Sequence, residues 1–212
     1  MRISSEFVTS AADAAGFPGE RLSELAMVGR SNVGKSSLIN ALVRQPLART
    51  SAAPGKTRLA NFYRVQRAGH PPFYLVDLPG YGYARGGETA RATFDKLAAE
   101  YFASHHGATL LLVDSRHPAL DADARAWAWL VDHGVTCHVV ATKVDKLTQA
   151  ERRRHLGELD RRYSGPVTAV SAHTGEGLEA LWTQIARLLE QPTPTAPPRP
   201  SPSRSTSPPS KS

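Results

Sequence analysis

Residues 25–43 read LAMVGRSNVGKSSLINALV. Four apolar residues run into Gly29, and Gly34-Lys35-Ser36 follow after four intervening positions, giving G-x-x-x-x-G-K-[ST] between a predicted strand and a predicted helix. A loop of this kind turns its backbone N–H groups inward and makes an anion cradle, and its glycines let the chain approach a phosphate closely. In this pattern the Lys35 ammonium reaches the β- and γ-phosphates and the Ser36 hydroxyl suits Mg²⁺. The remaining loop residues Arg30, Ser31, Asn32 and Val33 contribute backbone. A glycine-rich turn with no ligand is the bland alternative, and the strand-before, helix-after context speaks against it.

The loop alone specifies only a nucleoside triphosphate. Three further stretches follow successive apolar runs. Asp77-Leu78-Pro79-Gly80 ends the run FYLV; an acid at a strand terminus holds Mg²⁺ through water, and Gly80 offers an N–H to a γ-phosphate. Thr142-Lys143-Val144-Asp145 ends CHVVA, and the Asp145 carboxylate can accept two hydrogen bonds from guanine N1–H and the 2-amino group. Adenine lacks that donor pair, so a site built on it discriminates by up to about 10⁴–10⁵. Val170-Ser171-Ala172 ends PVTA, where a backbone N–H can meet guanine O6. Each stretch is weak singly; their order makes the set strong.

In these stretches the chain resembles the TRAFAC GTPases, and within them the EngB (YihA/YsxC-type) family of bacterial ribosome-assembly GTPases. The residues that carry the resemblance are GRSNVGKSS at 29–37, PGKTR at 54–58, DLPGYGYA at 77–84, TKVDK at 142–146 and VSA at 170–172. It spans roughly residues 22–190. It implies a Ras-like G domain binding GTP and GDP with Mg²⁺, and slow hydrolysis of GTP to GDP and phosphate. A large-subunit ribosomal RNA partner and a need for the protein in cell division and septation are also implied. The family's first mobile loop maps to Gly55, Lys56, Thr57, Arg58 and Leu59. There a threonine completes the Mg²⁺ shell beside Ser36 and senses the γ-phosphate through its N–H; Thr57 is the match and Thr50 the runner-up. Lys35 and Thr57 are therefore the expected catalytic residues.

One departure matters. Where small GTPases place a water-orienting glutamine directly after DxxG, this chain has Tyr81, and a phenol cannot reproduce both hydrogen-bonding functions of an amide. Hydrolysis is expected to be slow unaided, or the water to be positioned otherwise, and Tyr81 is assigned no catalytic role. In some related GTPases an asparagine at the place of Asn32 helps to hold K⁺, which supplies charge where an arginine finger would sit. By that resemblance K⁺ is a second candidate cofactor; the alternative is that Asn32 only bonds the loop backbone. A P-loop kinase would lack TKVD followed by SA. A guanine-nucleotide-gated rRNA-binding module with negligible hydrolysis would keep every motif, and only turnover separates it from an enzyme.

The 212 residues suffice for one domain with a substantial core. No run of 18 apolar residues occurs, and the first residues carry no apolar signal core, so a cytoplasmic protein without membrane association, and a monomer, is the expectation. The single cysteine, Cys137, excludes an internal disulfide and reads as a buried inert thiol. The eight histidines show no metal-ligand spacing. Of the formal charge of +7, Arg199, Arg204 and Lys211 belong to a Pro/Ser-rich tail at 191–212, which lacks the apolar content to offset the entropy of ordering. Basic residues also cluster at Arg44/Arg49/Lys56/Arg58, Arg85/Arg91, Arg152-Arg153-Arg154 and Arg161-Arg162, the kind of grouping that neutralises RNA phosphates; a solvated charged face is the alternative. Residues 1–21 read as an extension and 22–190 as the G domain. Strands are predicted at 24–28, 59–66, 73–77, 108–114, 136–141 and 166–170, and helices at 35–44, 88–104, 120–133, 148–162 and 177–190. The third helix starts at Leu120, Asp121 or Asp123, and Gly134 ends it. Only six residues join 59–66 to 73–77, too few for a crossover helix, so that pair should be an antiparallel hairpin. The result is a six-stranded mixed, mostly parallel α/β sheet with helices on both faces and all four motifs at the carboxyl ends of strands. Trp127, Trp129 and Trp182 are expected at core or half-buried positions rather than stacked on bases.

Overall fold

Strand β2 (Ser23–Gly29) runs apolar from Leu25 to Val28 because both of its faces are covered there. Leu25 and Met27 join one core cluster; Ala26 and Val28 join the other. The computed structural model describes residues 2–48, 59–81, 96–104 and 107–190. Its remaining strands are β1 (Ile3–Ala11), β3 (Ala60–Arg67), β4 (Phe73–Asp77), β5 (Gly107–Asp114), β6 (Cys137–Thr142) and β7 (Thr168–Ala169). The helices are α1 (Lys35–Val43), α2, described over 96–103, α3 (Asp121–Asp132), α4 (Gln149–Arg162) and α5 (Leu178–Glu190).

The sheet order is β1-β3-β4-β2-β5-β6-β7. The β3–β4 hairpin is antiparallel, with Asn61 opposite Asp77, as the short connection requires. The β2–β4, β2–β5, β5–β6 and β6–β7 pairs are parallel. Seven strands stand where the sequence pattern predicts six. The additional strand is β1, which pairs antiparallel with β3 at the sheet edge and is irregular between Phe7 and Thr9. Its sequence, ISSEFVTSA, has strand-favouring residue types but no buried apolar stripe. Only Ala11 is buried, and Phe7 lies 54% exposed with its ring 5.9 Å from Tyr63.

Helices α1 and α5 cover one face, through Leu38, Ile39 and Leu42 and through Leu181, Trp182 and Ile185. The other face receives Leu97 and Tyr101 of α2, Leu130 of α3 and Leu159 of α4. Each such fully buried side chain stabilises the fold by about 1.5–3 kcal/mol. Trp182 is buried, and Trp127 and Trp129 pack partly buried against the second cluster. Cys137 opens β6 and is half-buried as a residue; burial pushes its thiol up to about 12, so it stays protonated at neutral pH. Helix α3 begins at Asp121 with Leu120 as an N-cap that makes no side-chain cap bond, and Gly134, at φ 66°, follows its C-cap. Helix α4 starts in a capping box of Thr148 with Glu151. Among the described residues no helix is long and apolar enough to cross a membrane.

Candidate functional site

Strand β2 delivers Gly29 to the top of the sheet, and the loop to α1 turns on two left-handed residues, Asn32 (φ 65°) and Gly34 (φ 106°). Gly34 is the N-cap of α1 and has no side-chain cap, so its position leaves the first-turn N–H groups of the helix facing outward, the arrangement that suits an anion. Lys35 is buried, and its Nζ donates to Asp77 Oδ1 at the end of β4, whose side chain is 2% exposed. Lys35 opens α1 and Asp77 ends β4, so the two charges satisfy one another from a helix start and a strand end, and Ser36 follows half-buried in the first turn of α1.

The ends of β5 and β6 grip this loop from the other side. The Thr142 hydroxyl donates to Val33 O at 2.7 Å, and Lys143 Nζ donates to Asn32 O at 2.6 Å. Lys143, itself left-handed at φ 60°, also pairs with Asp114 Oδ2 at 2.8 Å. Burial works against ionisation of Asp114. The hydrogen bonds from Arg116 and Lys143 outweigh it and hold the carboxyl well below the usual carboxylate range. The Lys143 stem runs alongside Gly34, whose missing Cβ would lie 3.7 Å from Cε.

Asp145 points the other way. Its Oδ1 accepts the Ser171 hydroxyl at 2.7 Å, and its Oδ2 lies 3.3 Å from Lys146 Nζ. The Ser171 bond, ahead of the Lys146 contact, lowers the Asp145 pKa and keeps the carboxylate ionised. Ser171 is fully buried, and its Oγ accepts the N–H groups of His173 and Thr174 at 3.2 and 3.1 Å. Between these parts lies an open cavity of about 260 Å³, bounded by Gly34 and Leu38, by Lys143 and Asp145, and by Val170 and Ala172. A lysine stem and apolar side chains form its walls, and an oriented carboxylate stands at its rim. That is a slot for a flat, polar-edged ring next to an anion cradle.

Residues 24–143 match the family described as 50S ribosome-binding GTPase. A probable GTP-binding protein EngB from Pelotomaculum thermopropionicum is 42% identical over 192 residues, which is 87% of this chain and 95% of that protein. The chain belongs to the EngB family of GTP-binding proteins. A crystal structure of a probable GTP-binding protein engB superposes with a TM-score of 0.64 at 21% identity, over 79% of this chain and 98% of that one. Era, in a complex with MgGDPNP and nucleotides 1506–1542 of 16S ribosomal RNA, does so with a TM-score of 0.68 at 22% identity, over 82% of this chain and 59% of that one. At those identities the likeness is one of fold: the P-loop GTPase fold.

Within this EngB-family chain the fold brings Gly29, Arg30, Ser31, Asn32, Val33, Gly34, Lys35 and Ser36 together with Asp77, Leu78, Pro79 and Gly80 on one side. Thr142, Lys143, Val144 and Asp145, with Val170, Ser171 and Ala172, stand on the other. Leu59 lies partly exposed just before β3. Gly55, Lys56, Thr57 and Arg58, the alternative Thr50, and the basic residues Arg49, Arg85 and Arg91 lie outside the described residues, as does the 191–212 tail. Of the other basic residues, Arg44 is paired with Glu179, Arg152 with Glu176 and Arg162 with Asp121, while Arg153, Arg154 and Arg161 face solvent.

Two acids escape motif reading. Asp114 ends the apolar run TLLLV just as Asp77 ends FYLV, and that parallel was the available signal. Asp123 resembled a helix-start residue. In the structure it is 1% exposed and turned inward, accepting Arg30 Nε at 3.1 Å and the Tyr81 hydroxyl at 2.8 Å on one oxygen. Burial of the Tyr81 phenol, reinforced by Asp123, raises its pKa, so it remains a donor.

Proposed function

We propose that this chain is a slow, Mg²⁺-dependent GTPase switch acting in assembly of the large ribosomal subunit. The observation that carries the nucleotide reading is the Asp145 carboxylate, held ionised and oriented by buried Ser171 at the rim of a cavity that adjoins the 29–36 loop. Guanine would place N1–H and its 2-amino group on that carboxylate, with its ring against the Lys143 stem. The phosphates would lie over Gly34 and the first turn of α1. Lys35 would exchange its internal partner Asp77 for the β- and γ-phosphates.

The donors around the first turn of α1 fit Mg²⁺: they are hard oxygens, the Ser36 hydroxyl and the Asp77 carboxylate, the latter suited to act through water. Thr57 would add a second hydroxyl. When bound, the metal neutralises charge on the phosphates. Asn32 is the residue that would hold K⁺, and its left-handed backbone and exposure are compatible with that role. Tyr81 donates its hydroxyl to Asp123 and so does not stand in for a water-orienting amide. Unaided hydrolysis is accordingly slow.

The family description, and Era's complex with ribosomal RNA, support an RNA partner for the basic residues. The solvent-facing Arg153, Arg154 and Arg161 on α4 are the described ones available to it. Roles in cell division and septation would follow from that assembly function, and a cytoplasmic monomer is the matching state. Titration with fluorescent GDP, ATP and XDP tests the nucleotide reading. Wild type should prefer guanine, and Asp145→Asn should lose GDP and gain XDP, whose 2-oxo group suits an amide donor. ATP bound as tightly as GTP refutes the reading. Co-sedimentation with ribosomal subunits tests the partner: nucleotide-gated binding should weaken with salt by a log–log slope of about −0.7 to −0.9 per phosphate contact.

A further inference from the structure

The segment after β4 is stitched to the phosphate loop. Leu78 N–H donates to Met27 O at 3.3 Å, Tyr81 N–H to Gly29 O at 3.3 Å, and Ser31 N–H to Tyr81 O at 3.2 Å. The parallel ladder between β4 and β2 is thereby extended past both strand ends, finishing in a bridge between Arg30 and Tyr81. Gly80 is pressed onto the loop so closely that a Cβ there would stand 2.8 Å from Ser31 N.

Backbone bonds at the end of a ladder open readily, and three at 3.2–3.3 Å are long for N–H···O bonds. A side-chain arrangement reinforces them. Arg30 and Tyr81, the two bridged residues, both reach down to Asp123 on α3 and donate to its single oxygen Oδ1. The carboxylate is 1% exposed, and its second oxygen has no hydrogen-bond partner among the described residues. Arg30 and Tyr81 are the side-chain donors to this carboxylate among the described residues, and of the two Arg30 brings the charge. Separating Tyr81 from the loop would strip the acid of one of two donors in a site that water does not reach.

We infer that Asp123 is a positioning residue for the DLPG segment: through Tyr81 and Arg30 it clamps the residue after Gly80 to the phosphate loop. The clamp thereby sets the Gly80 N–H where a third phosphate must be read. This rests on the guanine-nucleotide reading above. It also gives Tyr81 a role as an anchor, and it makes α3 the helix that feels whether this segment is docked or released.

The clamp acts on the third phosphate, so its loss should separate GTP from GDP. Tyr81→Phe removes only the hydroxyl, Asp123→Ala removes the acceptor, and the double variant removes both. Affinities for fluorescent GDP and for a fluorescent non-hydrolysable GTP analogue are measured for each, with Tm. The expected result is a fall of about tenfold for the analogue in each single variant, with no further fall in the double, while GDP affinity stays within about twofold. Equal losses for both nucleotides, or a lowered Tm with an unchanged GTP/GDP ratio, would show a merely structural acid and overturn the clamp. Multiplicative losses in the double variant would also overturn it, because the two groups would then act separately. A wild-type chain that bound neither nucleotide would remove the guanine reading and the clamp with it; wild-type binding with unaltered ratios in the variants removes the clamp alone.

Discussion

Ser171→Ala removes one oxygen that serves three partners. The hydroxyl donates to Asp145 and accepts two N–H groups, from His173 and Thr174. Those two residues are exposed, so water replaces the lost acceptor for their amides. The bond to Asp145 is different, because the donor is fully buried and the acceptor side chain is only 12% exposed. A hydrogen bond to a charged group contributes about 1.5–3 kcal/mol. If that energy serves to hold the carboxylate in the orientation guanine needs, its loss weakens GDP by about ten- to a hundredfold, at about 1.4 kcal/mol per factor of ten. The pH dependence separates this from a general loss of stability. The folded-state pKa of Asp145 is lowered, chiefly by Ser171, so the pair stabilises the fold above the ordinary carboxylate range, near pH 3.9. That contribution fades as pH falls through the lowered value. Wild type and Ser171→Ala should therefore differ by a constant stability gap at neutral pH and converge below about pH 4. Fluorescent GDP binding at neutral pH and urea denaturation from neutral pH to pH 3 are the assays. Unchanged GDP affinity, or a gap that does not narrow in acid, would refute the argument that this hydroxyl orients the carboxylate.

Thr57→Ala should cut GTP hydrolysis at least tenfold and weaken subunit binding in the GTP state more than it weakens GDP; steady-state phosphate release and co-sedimentation check both, and wild-type behaviour would turn attention to Thr50. GTP hydrolysis should run faster in KCl than in matched NaCl, and the K⁺-specific increment should vanish in Asn32→Ala. Equal rates in the two salts would leave Asn32 as a backbone residue of the loop, tied to Lys143 through its carbonyl.

Where a local pattern dictates local structure, the sequence was legible. The run from Leu25 to Val43 announces strand, anion loop and helix because its apolar spacing changes period at Gly34, and the short connection between β3 and β4 leaves no option but a hairpin. Asp145 and Ser171 were each visible in a motif, yet their hydrogen bond was not, since it joins residues on different strand ends. The edge strand β1 was missed because an edge needs little burial: its Ser and Thr residues satisfy the ladder to β3 without a hydrophobic stripe. Asp123 was misread for the opposite reason. An acid in the first turn of a helix usually serves the N–H groups there, and only the tertiary approach of Arg30 and Tyr81 turns this one inward.

That misreading connects to the chemistry of the loop. Three cationic side chains around the loop have internal partners: Lys35 has Asp77, Lys143 has Asn32 O and Asp114, and Arg30 has Asp123. These contacts compensate the two lysine ammoniums and the Arg30 guanidinium and tie the loop and its neighbours to β4, β5 and α3. These partners are not equivalent. Asp114 and Asp123 lie behind the loop, on β5 and α3, and can keep their bonds when phosphate arrives. On the function proposed above, Lys35–Asp77 is the pair that phosphate would open, turning the ammonium to phosphate and the carboxylate to the metal's water shell. On that proposal nucleotide and metal binding would be coupled at Lys35–Asp77: a triphosphate that took the lysine would leave a buried carboxylate uncompensated until a cation were shared with it.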